Sequence, residues 1–254
     1  MSFVDAILLL AAGFAGGTVN AIAGGATFFT FPAMLAVGIP PVAANASNTV
    51  ALFPASLAAT IALRRELATT RSHLPRLALI GIGGGIAGAW LLLATPDRAF
   101  LALVPWLLLL ATSIFAFSPR LLAWLRARSG RTEHSFRPGA PTLLLIAVCS
   151  VYGGYFGAGV GIMMMAGLAL SGLDDPHAAN ALKNLLASAI NGVAVLVFVV
   201  NGAVVWPATL VMLAGAVSGG VFGGRIARRL PPLMFRRIVI GIGSLLTIWY
   251  FVKL

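Results

Sequence analysis

The sequence predicts an all-α integral membrane protein: two inverted-topology repeats of about five helical segments each, with broken or re-entrant short helices. Three observations carry that prediction. Of 254 residues, 60% are hydrophobic and only 9% charged, against about 25% charged in ordinary soluble domains. That leaves too little polar surface to cover a soluble fold, while many apolar runs reach the roughly 20 residues that cross about 30 Å of hydrocarbon. Second, the chain repeats itself at a shift of 135 residues (179 − 44 = 135): Ala44-Asn45-Ala46 falls on Ala179-Asn180-Ala181. Gly84-Gly85-Ile86-Ala87-Gly88 likewise falls on Gly219-Gly220-Val221-Phe222-Gly223, and Gly24 on Gly159. Third, all but Arg98, Lys183 and Lys253 of the 17 Lys and Arg residues fall in three stretches, Arg64–Arg76, Arg120–Arg137 and Arg225–Arg237.

Basic residues crowded into some loops and absent from others mark the cytoplasmic side. The loops at 96–98 and Asn201-Gly202 are then external, and so are both termini, in a multi-pass protein of the cytoplasmic (inner) membrane. In the first half the loop after the third segment is basic; in the second half it is the loop after the fourth. The two halves therefore cross the membrane in opposite senses. The net charge of +11 reads as topology and contact with anionic headgroups, with no nucleic-acid partner.

The chain divides into a first transmembrane repeat (1–117), a basic cytoplasmic linker (118–140) and a second, inverted repeat (141–254). Segments of the first repeat are expected near 3–23, 26–37, 42–63, 74–95 and 99–117. Those of the second are expected near 141–158, 161–171, 177–200, 204–226 and 233–253. The first stretch has Asp5 ahead of it and no basic flank, so it reads as a mature membrane segment and not a cleaved leader. The second segment of each half spans roughly 18 Å, short for a crossing. Glycines join it to its predecessor: Gly24-Gly25 in one half, Gly157, Gly159 and Gly161 in the other. Short, glycine-interrupted segments at matching places in two halves point to a transporter binding site. The linker, with Pro119, Gly130, Pro138, Gly139 and Pro141, reads as a solvated tether.

Candidate binding residues cluster at the breaks and at the start of each third segment. Unwound backbone inside a membrane is tolerated where it is buried in protein or lines a wet cavity. Half-helix N-termini there favour anions, and Asn20 and Thr27 add neutral donors beside Gly24 and Gly25. The third segments carry Asn45, Asn48 and Thr49 in one half, and Asn180, Lys183, Asn184 and Asn191 in the other. The shift places Lys183 on Asn48. Lys183 lies roughly 10 Å inside its segment, where a charge is costly and is by default functional. Asn180, Asn184 and Asn191 form a polar stripe beside it.

Other motifs have plainer readings. The glycine ladders Gly81–Gly88 and Gly215–Gly224 have the small-xxx-small spacing of close helix packing. Met163-Met164-Met165 and the single Cys149 read as core. Asp174, Asp175 and His177 read as a solvated external loop and a helix start, not a metal or proton site. No carboxylate falls mid-membrane, and no intramembrane Ser/His/Asp set, HExxH or carboxylate pair is present. A cation carrier and an intramembrane enzyme lose ground; no cofactor or metal is expected.

Two motif runs resemble a known family. Val19-Asn20-Ala21-Ile22-Ala23-Gly24-Gly25, then Pro32 and Gly38-Ile39-Pro40-Pro41 with Ala44-Asn45 and Asn48-Thr49, are similar to the first repeat of the sulfite exporter TauE/SafE family. Tyr155-Phe156-Gly157-Ala158-Gly159, Asn180-Ala181-Leu182-Lys183-Asn184-Leu185, Asn191-Gly192 and the Gly219–Gly223 ladder resemble its second. The resemblance covers nearly the whole chain. It implies a permease for a small anion, chiefly a sulfur-containing one such as sulfite or an organosulfonate. Family members differ in substrate and direction. Alternating access between the halves, with a proton as possible co-substrate, is the working expectation. A non-transporting membrane scaffold or partner subunit, or an anion channel, are the alternatives.

Overall fold

The computed structural model describes residues 1–22, 25–129, 136, 138–171, 173, 175–226 and 232–253. Among them the long elements are α-helices and no strand occurs. The first half holds α1 (Phe3–Ile22), α2 (Thr27–Ala36), α3 (Pro41–Ala62), a short 3₁₀ helix (Arg64–Thr70), α4 (Leu74–Ala94) and α5 (Asp97–Ser129). The second holds α6 (Ala140–Tyr155), α7 (Val160–Leu170), α8 (Pro176–Val200), α9 (Trp206–Ile226) and α10 (Pro232–Lys253). Prolines open α3, α6 and α8, where a missing N–H costs nothing and the fixed φ is already helical. Asp175 caps α8 by accepting from the N–H groups of His177 (3.0 Å) and Ala178 (3.3 Å).

Each short helix folds back along its predecessor. Residue 16 of α1 sits against residues 26 and 30, where a Cβ on Gly16 would come within 2.8 Å of Thr30 Cγ2. Along α6 and α7 the contacts run in reverse order: Gly153 faces Val160 and Gly167 faces Leu145. Both short segments are thus the returning arms of helical hairpins.

The halves interlock by exchange. α1 runs parallel to α9: Gly13 abuts Met212 and Ala216, Gly219 abuts Phe14, and Gly223 abuts Thr18. α4 runs parallel to α6 in the same manner, with Gly84 against Ala147 and Val151, and Gly88 against Val151 and Tyr155. These are backbone-to-backbone approaches that a side chain would block, so both ladders do the packing their spacing predicts. Thr18 Oγ1 adds a hydrogen bond to the Gly219 carbonyl at 3.0 Å.

The other two pairings are antiparallel. α3 meets the α8 side in reverse order: Ser47 Oγ accepts from Val205 N at 2.9 Å, Phe53 lies on Gly192, and Thr60 and Ser188 hydroxyls are 2.7 Å apart. α5 meets α10 likewise, from Phe115 with Arg236 through Thr112 with Gly243 to Trp106 with Phe251.

These pairings sort the charge. The 3₁₀ helix, the start of α4, the far end of α5, the end of α9 and the start of α10 lie at one end of the bundle, so the described basic stretches share that end. The starts of α1, α3, α5 and α9 and the end of α10 lie at the other, where Asp97 Oδ1 accepts from Val42 N at 2.8 Å.

The structure changes two expectations. The start of α8 packs with Leu67 and Leu74, through Ala178, Leu182 and Leu186, at the basic end. The Asp175–His177 turn is therefore on the same side as the arginine stretches, and not on the opposite, external one; Asp174 lies outside the described residues. The reason is the α6–α7 hairpin, which returns the chain to the end it left. Second, α5 continues through Pro119 to Ser129, so the first part of the 118–140 stretch is helix.

The core is aromatic at the centre, with Phe28, Phe31, Phe100, Phe115 and Phe156 fully buried. The outer surface is apolar, with Leu79, Trp106, Leu144, Leu196, Leu245 and Val252 exposed, as a lipid-facing belt requires. Among the described residues five helices are long and apolar enough by length and composition to cross a membrane: α1, α4, α5, α8 and α9.

Candidate functional site

The break between α6 and α7 is built on left-handed glycines. Gly157 (φ 80°) and Gly159 (φ 76°) take a backbone region that side chains disfavour, and this turns the chain through the hairpin tip. Tyr152 clamps the tip by donating its hydroxyl to the Ala158 carbonyl at 2.7 Å. Aromatic rings close over it: Phe156 packs edge-on to Phe31 at 5.6 Å and Phe100 packs on Tyr155 at 5.6 Å.

Two of the residues singled out from sequence converge on this tip from different helices. Asn45 of α3 donates Nδ2 to the Tyr155 carbonyl at 2.8 Å, holding one of the free carbonyls at the end of α6. Lys183 of α8 lays its aliphatic chain over the start of α7. A Cβ on Gly161 would come within 3.3 Å of Lys183 Cδ and 3.8 Å of Cε. The lysine stem thus passes directly over Gly161, where a side chain would make it shift by a few tenths of an ångström. Lys183 is half-buried, and among the described residues its ammonium has neither a carboxylate nor a hydrogen-bond partner. An unpaired cation beside the N-terminus of α7, itself a site of partial positive charge, attracts an anion.

The remaining candidates distribute as follows. Asn48 is 2% exposed and Asn45 1%, with the Oδ1 of each left without a hydrogen-bond partner among the described residues. Thr49 turns its hydroxyl back to the Asn45 carbonyl at 2.9 Å. Asn180, Asn184 and Asn191 are half-buried along α8. In the other hairpin, Gly25 has φ 94°, and a Cβ there would come within 3.1 Å of Phe115 and Val239; Asn20 is half-buried at the end of α1 and Thr27 is buried at the start of α2. Gly24 lies outside the described residues. Among the described residues the α6–α7 tip, Asn45 and Lys183 come together, and the α1–α2 group forms a separate cluster against α5 and α10.

Two residues escaped sequence reading. Tyr152 looked like one more apolar position, although a tyrosine in a membrane segment needs a partner for its hydroxyl. Arg236 donates Nε and Nη2 to the Phe115 carbonyl (2.9 and 2.7 Å) and Nη2 to Ala116 (2.9 Å). Pro119 was the available signal, because a proline frees the carbonyl four residues before it.

Among the described residues no group of three His, Cys, Asp or Glu could hold a metal ion. A cavity of about 1130 Å³ opens between the end of α2, the Gly38–Pro41 turn and α10. Its lining is mostly apolar, with Tyr250 and Lys253 at α10, and includes none of the candidate binding residues.

The sulfite exporter TauE/SafE family model matches residues 9–250. The chain is 32% identical over 221 residues to a probable membrane transporter protein, ORF9, of Sinorhizobium sp, covering 86% of this chain and 82% of that one. It is 27% identical over 247 residues to a probable membrane transporter protein of Haemophilus influenzae, covering 94% and 92%. It is 26% identical over 234 residues to the probable membrane transporter protein YfcA of Escherichia coli K12, covering 91% and 84%. No solved structure matches.

Proposed function

The chain belongs to the sulfite exporter TauE/SafE family and is a membrane transporter, and from that premise we propose that it is a permease for a small sulfur-containing anion. Sulfite and organosulfonates are the substrate class. The single observation that carries the reading is Lys183: a half-buried ammonium without a described partner, laid over the glycine break at the start of α7. Lys183 supplies the countercharge. The donors at the Gly157–Gly161 break and the amides of Asn180, Asn184 and Asn191 orient the oxyanion. Asn45 acts on the tip, fixing the break through the Tyr155 carbonyl.

Transport then proceeds by alternating access between inverted halves in the cytoplasmic membrane, with the basic end inside. Support for inversion is the antiparallel packing of α3 on α8 and of α5 on α10. Equivalent helices that pack against one another antiparallel are related by an axis lying across them, which is the inverted arrangement; an axis along them would leave them parallel.

The test is ligand-dependent thermal stability of the purified protein, which substrate raises by mass action. Sulfite and a sulfonate are expected to raise the Tm of wild type, with carboxylates giving little. Lys183→Met is expected to fold and to lose both that stabilisation and flux in proteoliposomes. Wild-type flux of the anion through Lys183→Met would overturn the reading.

A further inference from the structure

We propose that α3 carries a Na⁺ site at Asn45 and Asn48, the place in the first half that Lys183 occupies in the second. Both residues are essentially fully buried, at 1% and 2% exposure. Both side-chain carbonyl oxygens are without a hydrogen-bond partner among the described residues. The Asn45 amide is pinned by its Nδ2 bond to Tyr155 O, so its Oδ1 points elsewhere and stays free. Residues three apart on a helix are neighbours, with Cβ atoms about 5–6 Å apart. The two orphaned acceptors therefore belong to buried side chains one turn apart on α3. An unmet buried acceptor is costly, and its cost is relieved by a donor or a cation.

The repeat indicates which. The shift of 135 residues carries Asn48 onto Lys183 (183 − 48 = 135) and Asn45 onto Asn180. At the matching position the second half has built in one positive charge. The first half has instead two neutral, hard oxygens, the ligand type that small alkali and alkaline-earth cations take. Transporters commonly bind Na⁺ with neutral oxygens beside a helix break. A single positive charge matches the lysine it replaces, and two fully buried residues one turn apart favour a small ion. Here the cation is a resident or coupling ion, distinct from the anion bound near Lys183.

The experiment uses the full-length purified protein in chloride salts at one ionic strength, without any oxyanion, so its failure leaves the anion reading untouched. Wild type is expected to gain a few degrees of Tm with Na⁺, saturably, over K⁺ and N-methylglucamine. Asn48→Leu, which removes the acceptor at similar volume, is expected to lose that Na⁺ increment. Asn48→Lys, which copies the second half, is expected to melt alike in all three salts. Equal melting of wild type in the three salts would mean that the oxygens hold water or nothing, and the proposal falls. It falls equally if the Na⁺ increment survives in Asn48→Leu. Should both variants fail to fold, saturable binding of ²²Na⁺ to wild type decides: binding near one ion per chain sustains the site, and no saturable binding overturns it.

Discussion

Arg236 shows how a single side chain can be forced by a defect in another helix. Pro119 sits inside α5 and cannot donate to the Phe115 carbonyl, which is left unpaired within the apolar run. Arg236 reaches across from α10 and fills it with two N–H groups, then binds Ala116 as well. Hydrogen bonds to charged groups contribute about 1.5–3 kcal/mol each, so Arg236→Met is expected to destabilise the chain by roughly 1–3 kcal/mol, the guanidinium being partly exposed. The diagnostic is a double-mutant cycle. Pro119→Ala restores an internal donor for Phe115, so Arg236→Met is expected to cost clearly less in that background. Equal costs in both backgrounds, read from denaturant unfolding in detergent, would show that Arg236 does not answer the proline. In sequence Arg236 was one of several arginines in a basic stretch. Nothing local set it apart, because its reason lies about 120 positions away on another helix.

The helical elements themselves were largely legible, because their signals are local. Apolar run length, opening prolines and glycine breaks placed α1–α4 and α6–α10 within a few residues. The ladders announced their packing by spacing alone, and what spacing could not announce was the partner, α9 for α1 and α6 for α4. The ladders make a prediction at this scale. A Cβ at Gly219 would overlap the Phe14 carbonyl, and one at Gly88 the Val151 carbonyl. Gly219→Ala and Gly88→Ala are therefore expected to cost about 1–3 kcal/mol as overpacked seams, seen as a lower Tm. Gly83→Ala and Gly224→Ala meet open space and are expected to be neutral or slightly stabilising, since alanine is the better helix former. Were all four variants alike, close helix approach would not be what the ladders provide. The sequence reading of α5 stopped at 117 because Pro119 looks like a terminator. In the fold, a guanidinium satisfies the freed carbonyl and the helix runs on. The candidate site was legible to a lesser degree. Lys183 stood out because a charge in an apolar run is costly, whereas its seat over Gly161 and the Asn45–Tyr155 bond depend on tertiary contacts that no local pattern encodes.

At the scale of the molecule, the arrangement of charge and the direction of helices constrain one another. The pairings put the described basic stretches at one end, and both the start of α1 and the end of α10 at the other. Positive loops are retained on the cytoplasmic side during insertion, so the proposed orientation puts the basic end inside. The α6–α7 hairpin then has a consequence that a simple count of segments misses: it returns to the basic end, so the Asp175–His177 turn lies on the same side as the arginines. Orientation is testable with single cysteines in a Cys149→Ala background, using a maleimide that does not cross membranes. Ser2→Cys and Asn201→Cys, at the end opposite the arginines, are expected to label in intact cells. Ser72→Cys, between the 3₁₀ helix and α4, and His177→Cys are expected to label only after permeabilisation; Ser72 and His177 are both exposed. Labelling of Ser72→Cys in intact cells would reverse the orientation. Labelling of His177→Cys together with Asn201→Cys in intact cells would put both ends of α8 on one side of the membrane, which contradicts a crossing α8 and overturns the hairpin reading of α6 and α7.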